Sequence, residues 1–124
     1  MSAPNIVNIT SIYGKTVFDA DISTSDDAIL TNAASSNKLL KVNSLIISNI
    51  DGSNAADITV TIKDASGTLK AKLAHTITVP ADATLVVISK DSAIYLEENM
   101  AIHLDASVAG DLAAVCSYEE MDDA

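Results

Sequence analysis

The sequence predicts an all-β domain, an antiparallel β-sandwich of jelly-roll or Greek-key type, and three observations predict it. Ile58, Val60 and Ile62 alternate with Thr59, Thr61 and Lys63, the period-two pattern of a strand with one buried face. Turn-forming residues recur about every 8–12 positions and separate roughly eight to ten short apolar runs, none with the periodicity of a major helix. Of 124 residues, 48% are hydrophobic but only 3% aromatic, so the core must be aliphatic, which suits strands packed on strands.

Taken in order, Asn5 to Ile12 and Lys15 to Ile22 predict two short strands hinged at Tyr13-Gly14. The polar turn Ser23 to Asp27 precedes a short strand, Ala28 to Thr31, and a loop through Asn37. The central stretch, Lys38 to Asp64, predicts a hairpin. Leu39, Leu40, Val42, Leu45, Ile46, Ile47 and Ile50 form its first strand, and Asp51-Gly52-Ser53-Asn54 its turn. From Thr68 to Val79 the alternation is the cleanest in the chain. It places Leu69, Ala71, Leu73, His75, Ile77 and Val79 on one apolar face, and Pro80 ends the strand. Leu85 to Ile88 is an apolar run of the buried-strand type. Ala93 to Leu96, Ile102 to Ala106 and Leu112 to Tyr118 follow as strands. The whole, residues 1–124, predicts a single domain. Residues 1–8 form a candidate flexible arm, and residues 119–124 a fraying acidic tail.

Charge excludes several classes of function. Seventeen acids against seven lysines leave a net charge of −10, and arginine is absent. Such a chain is repelled by nucleic acid and by anionic lipid, so neither is an expected partner. Cys116 is the only cysteine, which removes an internal disulfide. The N-terminal residues do not form a signal peptide and no apolar run approaches a membrane span, which predicts assembly in a cytoplasm-like compartment.

No catalytic constellation emerges. His75 and His103 are predicted on faces of opposite character and need further ligands to hold a metal. Cys116 shares a face with Leu112, Ala114 and Tyr118, the setting of an inert core thiol. Asp51, Asn54 and Asp57 are explained by turn chemistry, without the spacing of a calcium loop. The adjacent pairs Asp26-Asp27 and Glu97-Glu98 point to opposite faces of their strands. Neither a nucleophile elbow nor a phosphate-binding glycine loop is present. An enzyme is therefore not expected, and no cofactor or metal is. A carbohydrate-binding module is the rival from composition, although Phe18, Tyr13, Tyr95 and Tyr118 are the only rings for its platform.

Three segments together resemble small virion-associated proteins of tailed phages, especially those of cyanobacteria and other aquatic bacteria. They are ILTNAASSNKLLKVNSLIISNIDGSNAADITVTIKDASG, VPADATLVVISKDSAIYLEENMAIHLDAS and DLAAVCSYEEM, covering about Ile29 to Met121. The resemblance implies a β-sandwich structural protein of the particle, residing in the virion. Such a protein would contact the major capsid protein or other virion proteins, with homo-oligomeric contacts in the particle. Head decoration is the leading role. A neck or tail component, and a glycan-binding attachment module, are the alternatives. The expected contact residues are Asn5, Ile6 and Val7 of the arm, and Glu119, Glu120, Asp122 and Asp123 of the tail.

Overall fold

The computed structural model describes residues 5–122, and nine strands account for most of them. They are β1 (Ser11–Asp19), β2 (Asp27–Asn32), β3 (Lys38–Asn49), β4 (Ala56–Asp64), β5 (Leu69–Val79), β6 (Thr84–Ile88), β7 (Ile94–Leu96), β8 (Met100–Ala106) and β9 (Leu112–Asp122). One sheet runs β1-β9-β3-β6, with β7 continuing β6 along the same side of β3; the other runs β2-β8-β4-β5. All pairings are antiparallel. The chain crosses between sheets at nearly every connection, and only β4 and β5 are consecutive partners joined by a turn. That interleaving is a jelly roll.

Burial follows the period-two pattern. Leu45 and Ile47 of β3 enter the core from one sheet, and Ile58, Val60, Ile102 and Leu104 of β4 and β8 from the other; all are essentially inaccessible. Short branched side chains bring the sheets together without large rings, and Tyr118 is the one aromatic among the buried core residues.

The structure corrects five expectations. Lys38 to Asp64 does supply two strands, but they do not pair with each other. β3 lies between β9 and β6–β7, whereas β4 lies between β8 and β5. The Asp51-to-Asn54 turn is thus a corner between sheets, within a connection of six residues (50–55), rather than the turn of a hairpin. At the N-terminus, Ile6–Asn8 is a 3₁₀ turn capped by Asn5, and β1 runs unbroken through Tyr13 and Gly14.

β5 is the least regular strand instead of the cleanest. Between Ala56↔Val79 and Lys63↔Leu69, ten steps along β5 match only seven along β4, through three register shifts. At one of them Thr76 adopts φ 46°, and its N–H is held by Thr59 Oγ1 at 3.0 Å. These bulges rotate Leu69, His75 and Ile77 into solvent and bury Ala74 instead. In β6, only Ile88 of the Leu85-to-Ile88 run is fully buried, because β6 borders its sheet. Finally, Glu119 to Asp122 do not fray. They complete β9 between β1 and β3; Asp123 lies outside the described residues.

Two buried asparagines tie the sheets together at opposite ends of β3. Asn32, ending β2, donates Nδ2 to Lys38 O and Leu96 O at 2.9 Å each, and its Oδ1 accepts from Ser36 Oγ. Asn49, ending β3, donates Nδ2 to Asn54 O and Val79 O at 2.9 Å each, and its Oδ1 accepts from Asp51 N–H. Replacing Asn49 by Ala strands two carbonyls and an amide, each costing of order 1 kcal/mol or more when buried. Chemical denaturation of Asn49→Ala is expected to show a loss of about 2–4 kcal/mol. A loss under about 0.5 kcal/mol, the range of an ordinary surface change, contradicts the assignment.

The connections β1–β2, β3–β4, β5–β6 and β8–β9 meet at one end. The carboxyls of Asp51 and Asp111 are neighbours there, near Asp21. Backbone N–H donors from Ser53 and Asn54 hold Asp51 below the usual carboxylate range. Burial, then Asp51, push Asp111 above it. An acid raised in the folded state stabilises at low pH and loses that contribution as pH rises through its folded value. Asp111→Asn is therefore expected to raise Tm at pH 7, with the gain shrinking as pH falls toward the unfolded carboxylate range. A lower Tm at pH 7 contradicts this.

Candidate assembly surface

The two outer faces of the sandwich differ in chemistry. On the β1-β9-β3-β6 sheet, Cys116 and Ala114 point into the core, so Val115 points out. Register then aligns Phe18 with Val115, Val115 with Ile46, and Ile46 with Val86. An apolar row thus crosses four strands, about 14 Å at ordinary strand spacing. Its ends are the most open, with Phe18 72% and Val86 55% exposed. Small side chains flank it, Thr16, Ser117 and Ser44 on one side and Ala113, Ser48 and Thr84 on the other. Ile12 and Tyr95 are also exposed on this face, Tyr95 in a row with Lys41 and Glu119.

The outer face of β2-β8-β4-β5 is polar. Lys63 ion-pairs with Asp26, and His103 Nδ1 lies 3.7 Å from Asp26 Oδ1. Burial, then Lys63, hold the His103 imidazole below its usual range. A shallow groove of about 270 Å³ lies here, lined by Asp26, Thr59, Thr61, Lys63, Lys72 and Asp105 together with Gly67 and Leu69. No aromatic ring lines it.

Of the residues expected to touch partners, those described lie on the 3₁₀ turn before β1 and on the last residues of β9, and Asp123 lies outside the described residues. Asn5 Oδ1 accepts from Val7 N–H at 3.0 Å, leaving Ile6 and Val7 exposed. Asp122 O accepts from Thr10 N–H and Oγ1, tying the arm to the end of β9. Glu119 and Glu120 already have partners within the chain: Glu119 accepts from Asn43 Nδ2, and Glu120 pairs with Lys15 and Lys38 at 3.1 and 3.4 Å. The Glu120 bond raises the Lys15 ammonium above its usual range. The sheet-face row was missed at the sequence level, because only the register of non-adjacent strands assembles it.

His75, expected on an apolar face, is exposed on β5 with Nδ1 3.4 Å from Lys72 Nζ. Glu97 points to solvent whereas Glu98 is buried, its Oε2 accepting from Asn37 N–H at 2.7 Å. Among the described residues, no three His, Cys, Asp or Glu side chains are grouped to hold a metal ion, and no helix is long and apolar enough to cross a membrane.

An all-β jelly roll with one apolar and one polar outer face is therefore the class of domain defined here. No protein-family model and no curated protein sequence matches the chain. Among solved structures it is similar to the subunit of Bacillus endospore appendages, described as a family of disulfide-linked pili. The TM-score is 0.53 at 10% identity, over 100% of this chain and 92% of that one. At that identity the likeness is one of fold. Two structures from infectious bursal disease virus, the T13 viral particle and the VP2 subviral particle, each give a TM-score of 0.49 at 10% and 12% identity. The chain spans about a third of each of those longer chains, 36% and 33%.

Cys116 is fully buried, and desolvation pushes its thiol up to about 11. The folded protein is expected to resist thiol alkylation at pH 8 and to label fully in denaturant. Rapid labelling of the native protein contradicts the packing described.

Proposed function

We propose that this chain is a non-enzymatic structural subunit of a tailed-phage virion, and specifically a head decoration protein. The observation that carries the reading is the contrast between its two outer faces. A flat sheet face bearing Phe18, Val115, Ile46 and Val86 suits a protein surface, and the opposite face bearing Asp26, Lys63, His103 and Asp105 suits water. A domain seated on a shell needs that polarity.

The three sequence segments resembling virion proteins point the same way, and so does the jelly roll shared with a pilus subunit, since pili too are built by repetition of one domain. The partner on this reading is the major capsid protein, met by the apolar row, with Asn5–Val7 and the Glu119–Asp122 corner at its rim. Repetition around a lattice makes weak individual contacts sufficient. The groove on the polar face lacks the ring platform that a glycan-binding module would use, which favours the shell reading over the attachment reading.

Quantitative mass spectrometry of purified virions tests the role. Hundreds of copies per particle are expected. Six or twelve would move the protein to the neck or tail, and absence from the particle together with glycan binding would replace the proposal. Val115→Lys is expected to release the protein from particles while changing Tm little, because Val115 faces outward.

A further inference from the structure

Four edges border the two sheets, and three are unsuited to receive another chain. β5 carries three register shifts and two lysines, Lys70 and Lys72. The β6–β7 edge is interrupted by the 3₁₀ turn Lys90–Ser92. β2 has six residues and a shift between Ala28 and Leu30. Short, bulged or lysine-bearing edges are the usual protection against edge-to-edge pairing. β1 has the least of that protection: it is long and unbulged, and its one lysine, Lys15, is paired with Glu120. Its nine residues pair with β9 in unbroken register, without proline and without an acid before Asp19. Three large exposed hydrophobics, Ile12, Tyr13 and Phe18, lie on this one strand.

The direction of its unused backbone groups follows from the ladder. In an antiparallel sheet each residue sends its N–H and C=O to one side, and successive residues alternate. Ile50 N–H donates to Asp111 O at 2.7 Å, and Ile22 N–H to Leu112 O at 2.8 Å. Odd residues of β9 therefore bond toward β3, and even residues toward β1. Even β9 residues stand opposite the odd residues of β1. The N–H and C=O groups of Ile12, Gly14, Thr16 and Phe18 consequently point away from the sheet.

We propose that β1 is a homotypic joint, in which two copies pair their β1 strands antiparallel about a two-fold axis and merge their sheets. An antiparallel edge is complementary to itself: each outward N–H meets an outward C=O of the other copy. Charge permits a second copy at this edge. Ser11 to Phe18 carries one charge, Lys15, which is paired with Glu120 at 3.1 Å, so the strand itself adds little to the repulsion between two molecules of net charge −10. A two-fold axis normal to the sheet puts both apolar rows on the same side of the doubled sheet. The joint deepens the assembly reading above and rests on it for its biological setting. One strand edge buries less than a stable dimer needs, so the isolated pair is weak and populated at high concentration.

Sedimentation equilibrium from about 10 µM to about 1 mM, a range spanning weak association, is the test, paired with amide exchange at both ends of it. The expected result is a mass rising from 12.9 kDa toward twice that value, with slower exchange at Ile12, Gly14, Thr16 and Phe18. Thr16→Pro removes one outward N–H and leaves the β9 ladder bonds intact. Both it and Phe18→Lys are expected to weaken association at least tenfold. Val86→Lys, on the same face at the far edge, is expected to retain it. A monomer throughout, association surviving both β1 substitutions, or equal loss in Val86→Lys would overturn the joint. If Thr16→Pro fails to fold, Phe18→Lys and the exchange pattern decide. Absence of the protein from virions would remove the decoration role and leave these readouts unchanged.

Discussion

Two sheets of short aliphatic side chains slide over one another easily unless something fixes their relative position, because dispersion contacts carry little directional information. Asn32 and Asn49 supply that direction. Each is buried, each satisfies its amide with two backbone carbonyls, and each reaches from its own strand to the opposite sheet or to the loop that leads there. Their spacing is the length of β3, so the two pins act at opposite ends of the longest strand. The cost of leaving such groups unpaired makes any slipped arrangement unfavourable. Glu98 adds a related constraint at one end by holding Asn37, whose φ of 58° would otherwise be strained.

With the sheets fixed, the bulges acquire meaning. β5 contains more residues than its partner can match, and the excess is discarded as register shifts that turn apolar side chains outward. The alternation in Leu69 to Val79 was a real feature of the sequence, but alternation presumes an unbroken pleat. Three shifts break it, and His75 leaves the face its position implies.

Strand existence was legible because each run carries its own period. β4, β8 and most of β9 were placed by Ile58, Ile102 and Leu112 and their alternating neighbours. Pairing was not legible. Nothing in Asp51-Gly52-Ser53-Asn54 distinguishes a hairpin from a corner, since both ask for residues that tolerate tight backbone. The apolar row was hidden for the same reason: Phe18, Ile46, Val86 and Val115 are far apart in sequence and meet only through register. Conversely, the acidic residues after Tyr118 looked like a solvated tail by composition alone. Two of them are consumed by Lys15, Lys38 and Asn43 within the sheet.

The placement of β9 has a consequence for the order of events during synthesis. Among the described strands β1 pairs only with β9, and β3 takes β9 along its whole length, so β1 waits for β9. Until β9 leaves the ribosome, one sheet lacks its central member and neither β1 nor the row built on Val115 exists as a surface. Contacts of such sequence separation close slowly. The β1 edge proposed as a joint therefore becomes available only after β9 has been made and has docked, so pairing through β1 follows folding of this sheet instead of preceding it.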